Sequence, residues 1–236
     1  MGGKITMFNF FVNRVSGSEE ITVQISYMLN AGYAGRTQEK VLEHIEELEK
    51  LGVSGPTEIP ILFPITFNQA TQEQQIDVQG EQTSGEIEFV LLLHAGEWFV
   101  TVGSDHTDRE LEQFSVEKSK QACPNVLASC LWPVTEVIEH WDQIHLRAWV
   151  TKDGTRVIYQ DDTLAALLPY SVLLDFVRSK VAHNLDGIPI FSGTIATLKG
   201  LIFADFFEME MLDPVLKRSI RHQYSIRPLT QLFATK

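Results

Sequence analysis

Two cysteines, Cys123 and Cys130, are all that the 236 residues contain, and neither has a paired Cys or His at zinc-finger spacing. That excludes a disulfide framework, fits a reducing compartment and leads us to expect a cytoplasmic protein. Long apolar runs are missing as well. No stretch approaches the roughly 18 consecutive apolar residues of a spanning helix, and the start MGGKITMFNF lacks the apolar run and cleavage region of a signal peptide. Positive charge is scarce: 19 Lys and Arg against 31 Asp and Glu leave a formal charge of -12, so we expect neither a nucleic-acid nor a membrane partner. No internal repeat, low-complexity tract or linker interrupts the chain, and residues 1–236 read as a single domain with ordinary globular composition, 44% hydrophobic and 21% charged. The opening residues satisfy the loose myristoylation pattern, with Gly2 and Thr6 in place, yet residues 5–15 read more simply as a first strand.

Strand signals dominate what is present. Residues 5–15 and 20–29 form an N-terminal strand pair around Ser16, Gly17 and Ser18. Thr37 caps a helix carrying Val41, Leu42, Ile45 and Leu48 at helical spacing and ending near Gly52. Strands are expected at 61–67, 86–93, 97–102, 144–151, 156–160, 188–194, 206–212 and 224–226. Helical pieces are expected at 109–120, 134–140 and 171–182. The fold class is therefore α+β and β-dominated, with a few short helices.

The sharpest local signal is the hairpin turn at Ala95 and Gly96. Alternation along GEIEFVLLL puts Glu86 and Glu88 on one face and Ile87 and Phe89 on the other. A two-residue turn there sets Glu86 opposite Asp105, with Glu88 as the diagonal neighbour. Three carboxylates this close repel unless one takes a proton or a cation neutralises them. An all-oxygen set selects a hard ion, Mg²⁺, Mn²⁺ or Ca²⁺. A solvated sheet face that binds nothing is the alternative.

GEIEFVLLL followed by VTVGSDHTDRE resembles the fumarylacetoacetate hydrolase superfamily, whose Glu-x-Glu strand and later Asp hold one divalent metal. The resemblance extends in order over roughly residues 30 to 226. His44 and Glu47 in EHIEEL resemble the His-x-x-Glu pair of the superfamily's lid helix, and PTEIPILFPIT its Pro-rich segment. TKDGTRVIYQDDTLAALL resembles the stretch that contributes Gln and Thr, and IPIFSGTI the Thr-Gly-Thr-Pro strand. Ser104 stands where an Asn is usual, Ile195 where a Pro is usual, and the loop before Asp105 is much shorter. The closest likeness is to a branch without assigned function.

The resemblance implies a mixed β-sandwich or roll holding one Mg²⁺ or Mn²⁺, with Ca²⁺ as a third choice, on Glu86, Glu88 and Asp105. It implies catalytic roles for His44, Glu47 and a lysine, either Lys118 or Lys120, with Arg109, Gln160, Thr163, Gly193 and Thr194 on the substrate. The implied reaction is metal-dependent hydrolysis of a C-C bond in a small anionic 2-oxo acid, acylpyruvate or 1,3-dicarbonyl compound, by a homodimer. A 2-oxo acid decarboxylase or tautomerase on the same metal is the first alternative, and a non-catalytic binding protein with a degenerate site the second. On pattern alone His44 and Glu47 also fit a charged helix surface, and Arg109 equally fits an ion pair with Glu112 or Asp108. His140 and His145 are read as structural residues, and Trp132, Trp141 and Trp149 as core or interface. Neither cysteine has a motif that lowers its pKa.

Overall fold

The computed structural model describes residues 6–233 except 38, 40, 43, 44, 46–54 and 57. His44 and Glu47 lie outside the described residues. The strands, in chain order, are β1 (Thr6–Arg14), β2 (Gly17–Ile25), β3 (Tyr27–Gly32), β4 (Ile61–Thr66), β5 (Ala70–Thr71), β6 (Gln75–Val78), β7 (Thr83–Ser84), β8 (Ile87–His94), β9 (Glu97–Asp105), β10 (Thr107–Asp108), β11 (Asn125–Leu127), β12 (Cys130–Pro133), β13 (His145–Lys152), β14 (Thr155–Thr163), β15 (Ile190–Phe191), β16 (Phe206–Asp213) and β17 (Arg218–Pro228). The architecture is strand-dominated, as expected. Among the described residues no helix is long and apolar enough to cross a membrane.

One sheet runs β2-β1-β12-β9-β8-β15-β3-β4, with β11 and β5 branching from β9. A second runs β14-β13-β16-β17-β6, and β10 pairs with β7 apart from both. Alternation along β8 decides which core each side chain joins. Ile87, Phe89 and Leu91 face the second sheet and pack with Leu146, Phe207, Met209 and Tyr224. Val90 and Leu92 face the other way and pack with Phe8 and Phe10 of β1 and with Phe63 and Ile65 of β4. β4 is one edge of the large sheet and β1 lies next to the other, so the sheet curls until both ends share one core. Each buried Val, Leu or Phe contributes about 1.5–3 kcal/mol, which is why a chain without disulfides holds this roll together.

The predicted hairpin register is the one observed. Ile87 pairs Ser104 and His94 pairs Glu97, while Ala95 (φ 49°) and Gly96 (φ 84°) both take the left-handed conformation of a two-residue turn.

Several elements differ from the sequence expectation. The strand expected over 20–29 breaks at Ser26, and β3 leaves the β1–β2 hairpin to pair with β4 and β15. The helix expected over 109–120 is two, Arg109–Glu112 and Val116–Ala122, because Ser115 is extended and its Oγ accepts the Lys118 amide to cap a new start. The strand expected over 188–194 shrinks to Ile190–Phe191, whereas the one expected over 224–226 lengthens to Arg218–Pro228.

Candidate metal centre

Glu86 lies one residue before β8, opposite the last residue of β9, and the Asp105 amide donates to the Glu86 carbonyl at 3.1 Å. The Glu86 amide in turn donates to Ser104 Oγ at 3.2 Å. One carboxylate oxygen from each of Glu86, Glu88 and Asp105 lies within 4.8 Å of the others, the single such group of potential ligands among the described residues. The cluster sits at one end of the roll interior, on the sheet face that carries Val90 and Leu92 further along β8.

Each carboxylate is positioned by a different part of the chain. Glu86 Oε1 accepts from Arg109 at 2.9 Å and Oε2 from Lys120 Nζ at 3.1 Å. Asp105 Oδ2 accepts from Lys120 Nζ at 2.5 Å. Glu88 Oε2 accepts the Gly193 amide at 2.8 Å, an approach that needs the positive φ of 85° at Gly193. Two oxygens remain buried with no partner, Glu88 Oε1 and Asp105 Oδ1. Buried carboxylate oxygens are costly to leave unpaired.

The charges follow from this arrangement. Burial alone would raise Glu86, but the cations of Lys120 and Arg109 overcome it and hold its carboxyl near a pKa of about 2. Glu88 has no cation at hydrogen-bond distance, and burial together with the Asp105 charge pushes it well above the carboxylate range. Lys120 is 7% exposed at its side chain, yet Asp105, Glu86 and Glu88 outweigh desolvation and keep it protonated. Of the three acids, Glu88 is thus the one left without a cation partner.

Lys120, not Lys118, reaches the site. The two lysines are about 200° apart around the helix, and Lys118 is exposed. Arg109 is positioned by the short helix that Asp108 caps, and its guanidinium is fully engaged by Ser84 Oγ (2.8 Å), Glu112 (2.8 Å) and Glu86 (2.9 Å). The ion-pair alternative with Glu112 is the one observed, so Arg109 braces a carboxylate instead of standing free for a substrate. Gln160 is wholly buried: its Oε1 accepts the Ile87 amide and its Nε2 donates to Thr194 Oγ1 at 2.8 Å and to the Ile195 carbonyl. It braces β8 against the Thr194 segment and offers a ligand nothing. Thr163 does not line the cavity; its neighbour Asp162 does.

A cavity of about 310 Å³ opens beside the triad, lined by Glu86, Glu88, Lys120, Gly193 and Thr194 among others. Val41, from the helix expected at Thr37, also lines it. Asn30 and Asn125 escaped the sequence reading. Both are completely buried; Asn30 lies close enough to Asp105 for its amide to favour the carboxylate, and Asn125 pairs directly with Asp105 across β11 and β9. Their signal is tertiary, since they arrive from two other strands. His106 was also missed; it bonds Tyr224 and Thr83, and burial drives its pKa to about 3, so it is a neutral strut.

His140 lies 3.0 Å from Asp213, and Asp142 pairs with Arg36, so among the described residues no second metal cluster forms around His140 and His145. Trp132 and Trp141 are buried, and Trp149 carries Arg156 over its ring at 4.6 Å. Burial raises the Cys123 thiol to about 12 and that of Cys130 in the same direction, which removes both as nucleophiles.

Residues 31–224 match a family model described as protein of unknown function (DUF2848). The chain belongs to that family. Its fold is that of several solved structures, some of them bearing a fumarylacetoacetate hydrolase name. One is a protein from Oleispira antarctica described as a fumarylacetoacetate isomerase/hydrolase (TM-score 0.66, 18% identity, 92% of this chain and 98% of that one). Another is a fumarylacetoacetate hydrolase family protein from Yersinia pestis CO92 (TM-score 0.63, 18% identity, 91% and 100%). A third is a 5-carboxymethyl-2-hydroxymuconate delta-isomerase from Mycobacterium smegmatis (TM-score 0.59, 15% identity, 91% and 82%). At these identities the likeness establishes the fold. No curated protein matches the chain in sequence.

Proposed function

We propose that this DUF2848 protein is a metal-dependent enzyme that cleaves a C-C bond of a small 2-oxo acid or acylpyruvate by hydrolysis. The observation that carries the reading is the pair of buried, unpartnered oxygens, Glu88 Oε1 and Asp105 Oδ1, beside Glu86, in a cluster whose Glu86 and Glu88 line the cavity. The donors are all oxygen, which suits Mg²⁺ or Mn²⁺. When bound, such an ion supplies Lewis-acid polarisation of a chelated carbonyl.

The chain's own residues supply the rest. Glu86, Glu88 and Asp105 would hold the ion, and the three are fixed by Arg109, the Gly193 amide and Lys120. In this reading His44, oriented by Glu47, takes a proton from water. The water oxygen bonds to the carbonyl carbon, the adjacent C-C bond breaks, and its electron pair leaves as an enolate that collects a proton. The Lys120 ammonium, on the cavity wall, stabilises that enolate charge.

Enolate chemistry without hydrolysis is the second reading, favoured by the delta-isomerase among proteins of the same fold. Turnover of acylpyruvates with an uncharged acyl tail, oxaloacetate and simple esters, with and without Mn²⁺, separates the two. We expect acylpyruvate cleavage that needs Mn²⁺ and is lost in His44→Ala. Ester hydrolysis that survives EDTA would overturn the reading, and oxaloacetate decarboxylation without acylpyruvate cleavage would move it to the lyase side.

A further inference from the structure

The cavity has an uneven charge. Its described lining presents four carboxylates, Glu86, Glu88, Glu112 and Asp162, against one cation, Lys120. Lys120 already serves Glu86 and Asp105, and Arg109 behind it serves Glu86 and Glu112. Glu112 is buried, whereas Asp162 is exposed on the solvent side. The remaining wall includes Ala31, Ala34, Val41, Phe63, Val116 and Leu167, which offer no charge.

A chelating ligand places its own carboxylate and oxo group at the triad, where the unpartnered Glu88 Oε1 and Asp105 Oδ1 call for a cation. Beyond that end the described lining offers no cation, and Lys120 and Arg109 are already paired with protein carboxylates. A second carboxylate in the ligand's tail would stand against apolar wall or beside the carboxylates of Glu112 and Asp162, with no cation on the described wall to pair it. A hydroxyl or ammonium there would find an acceptor, and an alkyl tail would find apolar surface.

We propose that Glu112 and Asp162 set substrate selectivity, excluding 2-oxo acids whose tail carries a second carboxylate and admitting those with an uncharged or donor-bearing tail. Rejection by like charge is an economical device, because it acts on every wrong partner at once. The inference rests on the metal-chelate reading above and deepens it.

The test is calorimetric titration of the full-length Mn²⁺-loaded protein with oxalate, 2-oxobutanoate and 2-oxoglutarate. We expect oxalate and 2-oxobutanoate to bind and 2-oxoglutarate to bind at least about ten-fold more weakly than 2-oxobutanoate. In Glu112→Gln combined with Asp162→Asn the gap should narrow by about three-fold or more, through tighter 2-oxoglutarate binding, with 2-oxobutanoate within about two-fold of wild type. Asp162→Asn alone, at an exposed position, gives a smaller change of the same sign and stands in if the double variant does not fold. With oxalate bound, 2-oxoglutarate equal to or tighter than 2-oxobutanoate in wild type, or a gap the substitutions leave unmoved, would overturn the selectivity assignment alone. No binding of oxalate would overturn the chelate reading and this inference with it.

Discussion

Glu86 and Asp105 face each other across the open end of the β8–β9 hairpin and share one ammonium, with Lys120 Nζ 3.1 Å from the first carboxylate and 2.5 Å from the second. The lysine holds two metal-type carboxylates together in the way an ion would, and it competes with an ion for them. Removing it therefore separates stability from metal affinity. Lys120→Met should lower the stability of the EDTA-treated protein by about 3 kcal/mol, the usual scale for breaking a buried ion pair. The same variant should bind Mn²⁺ more tightly than wild type and lose turnover. Urea unfolding in EDTA and a parallel Mn²⁺ titration check both signs, and weaker Mn²⁺ binding in the variant would contradict the competition.

Metal binding should release protons. Glu88 has a raised folded-state pKa, so its contribution to stability is present below the ordinary carboxylate range and is lost as pH rises through the raised value. Glu86 is the opposite case, held near about 2, and its contribution is present above its ordinary value and lost as pH falls towards 2. An ion on Glu88 needs the carboxylate, so Mn²⁺ affinity should increase with pH and each binding event should expel part of a proton. Titrations in buffers of different ionisation enthalpy measure that release, and heats independent of buffer with affinity independent of pH would count against it.

Among the described residues the Gly193 amide is the one donor that fixes Glu88. A Cβ at Gly193 would meet the Ala31 carbonyl at 3.2 Å and Ala34 Cβ at 3.3 Å, on a backbone already at φ 85°. Gly193→Ala should cost about 1–2 kcal/mol in stability for the left-handed conformation alone. It should also weaken Mn²⁺ binding by about ten-fold through the displaced Glu88, since an orienting partner outside the ligand set typically carries that much affinity. Wild-type affinity in this variant would show that Glu88 does not depend on the segment.

How much of this was legible depended on whether the cause was local. The register that opposes Glu86 to Asp105 follows from the Ala95–Gly96 turn and the period of two, both contained in about twenty residues of sequence. The choice of Lys120 over Lys118 required knowing where the helix of Val116–Ala122 sits, and so the sequence left both open. Gln160 was placed on the substrate by the family resemblance alone, and a strand amide shows nothing of its partners; its hydrogen-bonding groups are used by Ile87, Thr194 and Ile195. Asn30 and Asn125 were invisible for a different reason. They reach the site from β3 and β11, through a sheet order that no local pattern announces.

The claim on which the rest depends is that Glu86, Glu88 and Asp105 hold one divalent ion, and Mn²⁺ titration of the metal-free protein by calorimetry tests it most directly. The account predicts one Mn²⁺ per chain in wild type and a loss of affinity of about a hundred-fold or more in the Glu86→Ala, Glu88→Ala double variant, whose circular dichroism should remain that of a folded β protein. Equal Mn²⁺ binding by wild type and the double variant would contradict it.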